Sequence, residues 1–231
     1  SSLKDTTTGS YNTAVGNNSL ADNTTGNYNT AVGNNALLVS TTASNNTAVG
    51  HEALANTTAG DNTAMGRAAL KANTTGYSNV GIGHYALDAN TSGNDNLAIG
   101  GRHTLGACTT GTTNIAIGSL ALENVTTGHS NVAIGYETLE DNTASDNVGC
   151  GKAVLRKNTS GTLNTGLGGF ALNKNTTAGS NTGLGYSALR YNTTGTQNTA
   201  VGANALDANT TGANNTAVGQ VALSDNTSGS N

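Results

Sequence analysis

Two cysteines, four histidines and one group of carboxylates have the clearest chemical reach in this 231-residue chain. Cys150 stands where sister segments carry Val, Ile or Leu, which predicts a buried thiol. Cys108 lies far along the chain from it, beyond the roughly 7 Å a disulfide spans, so no intrachain bridge is expected. Pairing of Cys108 between chains around an axis stays open. His51, His84, His103 and His129 fall at unrelated places, with no HxH and no HExxH, and are expected at the surface rather than on a metal. Glu137, Glu140, Asp141 and Asp146 could hold calcium or form an acid–base pair. Glu137 and Glu140 lie on a segment expected to face water, and no GGxGxD calcium repeat occurs. No Ser/His/Asp set or phosphate loop stands out. No catalytic, metal or cofactor-binding residue is therefore assigned, and no enzyme activity is expected.

The elements that carry these residues form a repeat. NTAVG, NVAIG, NLAIG and NTGLG recur, each ending in a glycine: Gly16, Gly33, Gly50, Gly66, Gly83, Gly100, Gly118, Gly135, Gly151, Gly168, Gly185, Gly202 and Gly219. The period is 17 residues, with 16 before Gly66 and Gly151 and 18 before Gly118. Low charge and abundant Asn, Thr and Gly would suit a disordered polar tract. The fixed period argues instead for a solenoid of about thirteen coils. Residues 1–231 read as one array, expected to be a segment of a longer fibre because no capping unit is visible. No 18-residue apolar run and no signal peptide occur. Sequons such as Asn23-Thr24-Thr25 follow from the repeat itself.

Within a unit, positions are counted from the glycine. Asn stands four before it: Asn12, Asn29, Asn46, Asn62, Asn79, Asn96, Asn114, Asn131, Asn147, Asn164, Asn181, Asn198 and Asn215. Ala or Gly stands two before, and a mid-sized apolar residue one before. Position −3 is Thr except in five middle units, which carry Val80, Leu97, Ile115, Val132 and Val148. This alternation predicts a short strand. The larger −3 and −1 residues are expected inward, and Asn, Ala and Gly outward. The Asn residues are expected to form a ladder of side-chain amides.

Four residues after the glycine comes a leucine: Leu20, Leu37, Leu54, Leu70, Leu87, Leu122, Leu139, Leu155, Leu172, Leu189, Leu206 and Leu223. It slips one place, to Leu105, after Gly100. These leucines are expected in the core. Segments such as RAALKAN and YSALRYN hold good helix formers and end in Asn, which predicts one short helical turn, with a second strand as the competing reading. TTG, TSG or TTAG then turns the chain. The expected fold is an all-β-like repeat solenoid, a parallel β-roll whose coil is strand (NxAVG), helical turn (xxALxxN) and tight turn.

Most charged residues follow the glycine, and no NxAxG segment carries one. The helical turn should face water, whereas the strand's outward face should be flat and uncharged. Each coil offers few large core residues, worth roughly 1.5–3 kcal/mol apiece when buried. Ordering each backbone residue costs roughly 1–2 kcal/mol. Packing the uncharged faces of several chains together would help, and a homotrimeric rod is expected.

N-[TV]-A-[VI]-G-x-x-[AS] resembles the head repeat of trimeric autotransporter adhesins, above all at Asn131–Gly135 and Asn114–Gly118. NTAVGxxAL arrays of phage tail fibres are similar. The resemblance covers essentially the whole chain and implies a parallel β-roll, although the adhesin heads use a shorter coil. It implies a homotrimer outside the cell, on a virion or bacterial surface, that supplies length and stiffness and meets a host receptor or glycan. No nucleic acid and no membrane insertion are expected of this segment. Gly101–Gly118 is the expected local elaboration. An ice-binding solenoid is the alternative, weakened because the expected outward row reads N-x-A rather than T-x-T. A carbohydrate-active enzyme is a third class, disfavoured because no unit gathers carboxylates and aromatics.

Overall fold

The computed structural model describes residues 2–230 and shows a parallel β-solenoid in two compact units, Ser1–Asn114 and Ile115–Asn231. Unit one carries β1 (Thr13–Val15), β2 (Thr30–Val32), β3 (Thr47–Val49), β4 (Thr63–Met65), β5 (Val80–Ile82) and β6 (Leu97–Ile99). Unit two carries β7 (Ile115–Ile117), β8 (Val132–Ile134), β9 (Val148–Cys150), β10 (Thr165–Leu167), β11 (Thr182–Leu184), β12 (Thr199–Val201) and β13 (Thr216–Val218). In each unit every strand pairs in parallel with its successor, and like residues face like: Thr13 with Thr30, Ala31 with Ala48, Leu184 with Val201. The 16-residue coils keep this register, since Thr47 pairs Thr63 and Val132 pairs Val148. Their missing residue is taken from the turn, not from the strand.

The expected facing of the strand is reversed. The central Ala or Gly is buried, whereas the residues on either side are half-exposed or exposed. Among the outward residues are Val15, Met65, Ile134, Val148, Leu167 and Val218. The reason is space. A coil this small has room opposite its leucine for a methyl group at most. A Cβ added to Gly183 would sit 3.4 Å from Leu172 Cγ, and one on Gly166 would meet Val154 Cγ1 at 2.4 Å. Branched side chains at −3 and −1 are driven outward because the interior is already full.

The expected helical turn is also absent: no helix occurs among the described residues, so none is long and apolar enough to cross a membrane. The chain instead runs through overlapping turns. In one coil Ala69 N–H donates to Gly66 O, Lys71 N–H to Ala68 O, and Asn73 N–H to Leu70 O. The second and fourth residues after the glycine have positive φ, as at Ala68 (56°) and Leu70 (52°). A left-handed leucine costs roughly 1–2 kcal/mol. That cost is offset because the conformation buries the side chain completely and aims its N–H at the next coil: Leu70 N–H donates to Ala86 O at 3.0 Å. A helix would spend those N–H groups inside its own turn and leave the stack unbonded, so stacking overrides the helix propensity of Ala, Leu and Lys.

The leucine column is buried from Leu20 through Leu206, except for Leu223, which is 52% exposed in the last coil. Leu105 rejoins the column, because the 18-residue unit absorbs its extra residue beside Gly100 and Gly101 and leaves Leu87 N–H bonded to Thr104 O. Twelve of the anchoring glycines have positive φ. Gly185 has φ +136°, and a Cβ there would lie 2.6 Å from the Gly202 carbonyl. Such a residue would be strained and would also block the next coil.

Candidate functional site

The asparagines at −4 point inward, contrary to expectation. All are buried except Asn12, which is half-buried in the first complete coil. Their bonding is mostly amide to backbone. Asn46 N–H donates to Asn29 Oδ1 at 3.0 Å, and Asn29 Nδ2 donates to Ala43 O at 2.8 Å. The same pair of bonds recurs at Asn62, Asn79, Asn96, Asn147, Asn164, Asn181, Asn198 and Asn215. Direct amide–amide bonds add to it from Asn96 to Asn79 and from Asn114 to Asn96, both at 3.2 Å. Asn131 Nδ2 donates to Ala144 O. A carboxamide suits this place because it accepts from one coil's strand and donates to the next coil's turn.

A second buried column went unread in the sequence, where its Asn looked like a helix stop. Asn158, Asn175, Asn192 and Asn209 link head to tail, Nδ2 to Oδ1, at 2.8–2.9 Å, and each also donates to a turn carbonyl in its own coil. An Asn seven after the glycine in nine of the thirteen units was the available signal. Cys108 occupies this column in the 18-residue unit, with Sγ 3.7 Å from Gly111 O. Ser40, Thr57, Cys108 and Val125 interrupt the column, and in the coils preceding Ser40 and Cys108 the amide oxygens of Asn23 and Asn90 have no partner.

Both cysteines are free. Burial pushes the Cys108 thiol up to about 11, where it is inert at neutral pH. Cys150 is not in the core; it is half-exposed on the outward strand row. Among the described residues no group of three His, Cys, Asp or Glu could hold a metal ion. His51 Nδ1 lies 3.8 Å from Glu52, His129 Nδ1 contacts Ser145 Oγ at 3.2 Å, and Tyr85 packs between His84 and His103.

The acidic group is half-buried and met by cations of the following coil. Arg156 Nε contacts Glu140 at 2.5 Å and Glu137 at 3.4 Å, and Lys157 Nζ contacts Asp141 at 2.6 Å. The bond to Glu140 holds the Arg156 guanidinium more firmly charged. These carboxylates therefore serve coil-to-coil ion pairs rather than each other. Asp146 stands apart, exposed, on the strand side of the turn. Lys71 and Glu52 form the same kind of pair at 2.8 Å, which lowers the Glu52 carboxyl below its usual range.

What each unit presents most regularly is the strand face. It carries two rows, Thr or an aliphatic at −3 and Val, Ile, Leu, Met65 or Cys150 at −1, and no charge. The rows step roughly 4.8 Å from coil to coil and lie about 6.6 Å apart along the strand. A face with hydroxyls, methyls and no charge can pack against an apolar partner or order water, and the Cys150 thiol is the one reactive group described on it. No protein-family model matches the chain, and neither a curated protein nor a solved structure does.

Proposed function

We propose that this protein is a structural segment of an extracellular fibre, on a virion or bacterial surface, whose copies associate as a homotrimer through the uncharged strand face. The observation that carries the reading is that face: an in-register Thr/aliphatic surface with exposed Met65, Ile134 and Leu167 and no charge. Soluble monomers rarely leave long apolar stripes open to water. The face offers roughly 50 Å² per coil, so its contact area grows with every coil added toward the roughly 600–1,000 Å² per partner of a stable interface. The coil-to-coil ladders supply stiffness, and recognition of a receptor or glycan would fall to the turns. The resemblance to adhesin heads and tail fibres supports the same reading.

The test is molar mass by light scattering behind a sizing column. Three times 22.8 kDa is expected, falling to one chain in Val201→Glu. A wild-type monomer overturns the association. A second reading, ice binding, is favoured by one observation: the Thr row at −3 points outward, so the face reads T-x-V in β1, β2, β3, β12 and β13. Thermal hysteresis and faceted ice growth from a monomer, both lost in Thr199→Lys, would establish it.

A further inference from the structure

A furrow among the turns of unit two combines a hydrocarbon lining with one unmatched cation. It is open, about 540 Å³, and runs between a column of Asp141, Lys157, Lys174 and Tyr191 and a column of threonines from Thr159 to Thr210. The threonine hydroxyls are committed along their own column: Thr159 donates to Thr176 O, Thr176 to Thr193 O and Thr193 to Thr210 O, at 2.9–3.0 Å. What the furrow presents is almost wholly apolar: threonine methyls, lysine stems and the Tyr191 ring. The lysine ammonium groups stand at its edge, the usual division of an amphipathic side chain.

The charges at that edge are unequal. Lys157 is matched by Asp141 at 2.6 Å. Lys174 has no carboxylate within ion-pair distance among the described residues, whose ion pairs lie elsewhere. No acidic residue occurs between Asp146 and Asp207, so the segment around Lys174 carries no carboxylate of its own. A hydrocarbon slot beside one free cation suits a molecule with an unbranched apolar tail and a single anionic head. We propose that this furrow binds a medium-chain alkyl carboxylate, its head on Lys174 and its tail along Tyr191 and Thr193 toward Thr210. The tail runs this way because Asp141 lines the opposite end. From the coil of Lys174 to that of Thr210 there are two coil steps, roughly 10 Å. An extended hydrocarbon chain advances about 1.2 Å per carbon–carbon bond, so the tail that fits has about eight carbons. A polar chain such as a sugar would lose water from its hydroxyls against this wall without gaining partners.

Binding here is independent of the oligomeric state, because the furrow lies on the turns and not on the strand face. The test is a saturation-transfer NMR titration of octanoate into the full chain, which reads an apparent Kd at millimolar ligand for one copy or three. Methylenes in an open slot are about half covered, so affinity should rise about twofold per carbon up to octanoate and level off beyond roughly ten carbons. Lys174→Met keeps the stem and removes the charge, so octanoate should bind about threefold more weakly while octan-1-ol is unchanged. Thr193→Ser keeps the hydroxyl bond and removes one methyl; it and Tyr191→Ala should each weaken both ligands by about twofold or more. Lys174 is exposed, so Lys174→Met should melt with the parent and keep the comparison fair. No saturation transfer at about 20 mM octanoate overturns the proposal. Equal binding of octyltrimethylammonium overturns it too, as does an octanoate affinity unchanged in both Tyr191→Ala and Thr193→Ser, which would move the ligand to the aliphatic strand face.

Discussion

Replacing Asn181 by alanine tests whether the inner ladder holds the coils together. Asn181 is fully buried. Its Oδ1 accepts from Asn198 N–H at 2.9 Å, and its Nδ2 donates to Gly195 O at 2.9 Å. After truncation Gly195 O still receives Asn192 Nδ2, and Asn198 Nδ2 still reaches Gly212 O. One group is orphaned outright, the buried Asn198 N–H, at a cost of about 1–3 kcal/mol. The emptied carboxamide space adds a smaller penalty, so a loss of about 3 kcal/mol is expected. Asn181→Asp sharpens the test. One carboxylate oxygen can still accept from Asn198, but the other faces the Gly195 carbonyl in a buried site. Burial and repulsion raise the folded-state pKa above its unfolded value. The aspartate's contribution is then complete below the unfolded carboxyl pKa and is lost as pH rises through the folded one. Asn181→Asp should therefore lie close to the parent in acid and fall away toward neutral pH. Urea unfolding gives the stability, and hydrogen exchange at Asn198 gives the local effect, since a stacked array can open coil by coil. A loss under about 1 kcal/mol with Asn198 still protected would refute the assignment of the ladder as the coil-to-coil fastening.

Asp88 is half-buried with Oδ1 unpartnered, and burial raises its carboxyl above the usual range. Asp88→Asn should stabilise the fold at neutral pH, with the gain vanishing as pH falls below the ordinary aspartate range; thermal melts across pH would show it. Ser40→Asn should extend the second amide column by donating to the stranded Asn23 Oδ1 and should stabilise by about 1 kcal/mol in urea titration. Thr182→Lys, on the outward row, should lower the molar mass in solution from three chains to one and lower the melting temperature with it, since association stabilises the folded chain. In the monomeric Val201→Glu protein, Cys150 should react with maleimide while folded, and Cys108 only after unfolding, as read by intact mass.

The repeat made the stack legible. Thirteen glycines at near-constant spacing located all thirteen strands, and the leucine spacing marked a column that the structure buries through Leu206. The local conformation was not legible, because intrinsic preference and stacking disagree. AALKA is a helical sequence when considered alone. In the array its alternate N–H groups are worth more to the neighbouring coils, and Leu70 and Leu189 accept positive φ to place them there. That demand comes from the next coil and leaves no mark within a single unit.

The facing of the strand failed for a different reason, and the correct signal was present. Ranking by hydrophobicity sent Val, Ile and Thr inward. Ranking by tolerance gives the opposite answer. Position −2 admits only Ala or Gly, whereas −1 admits Val, Ile, Leu, Met and Cys, and −3 admits Thr, Val, Leu and Ile. A site that varies this much in shape is not packed against a fixed wall, and a site held to one methyl or none is. The inversion also moves the functional argument. Ala and Asn, expected to pack between chains, are spent inside the coil on leucine contacts and backbone hydrogen bonds. Thr and Val, expected to fill the core, become the surface. The same reversal that removes the small-residue face as a trimer contact supplies an uncharged aliphatic one in its place. It also supplies the outward threonine row whose absence had weakened the ice-binding reading. Molar mass separates the two, because association covers this face and ice binding needs it open.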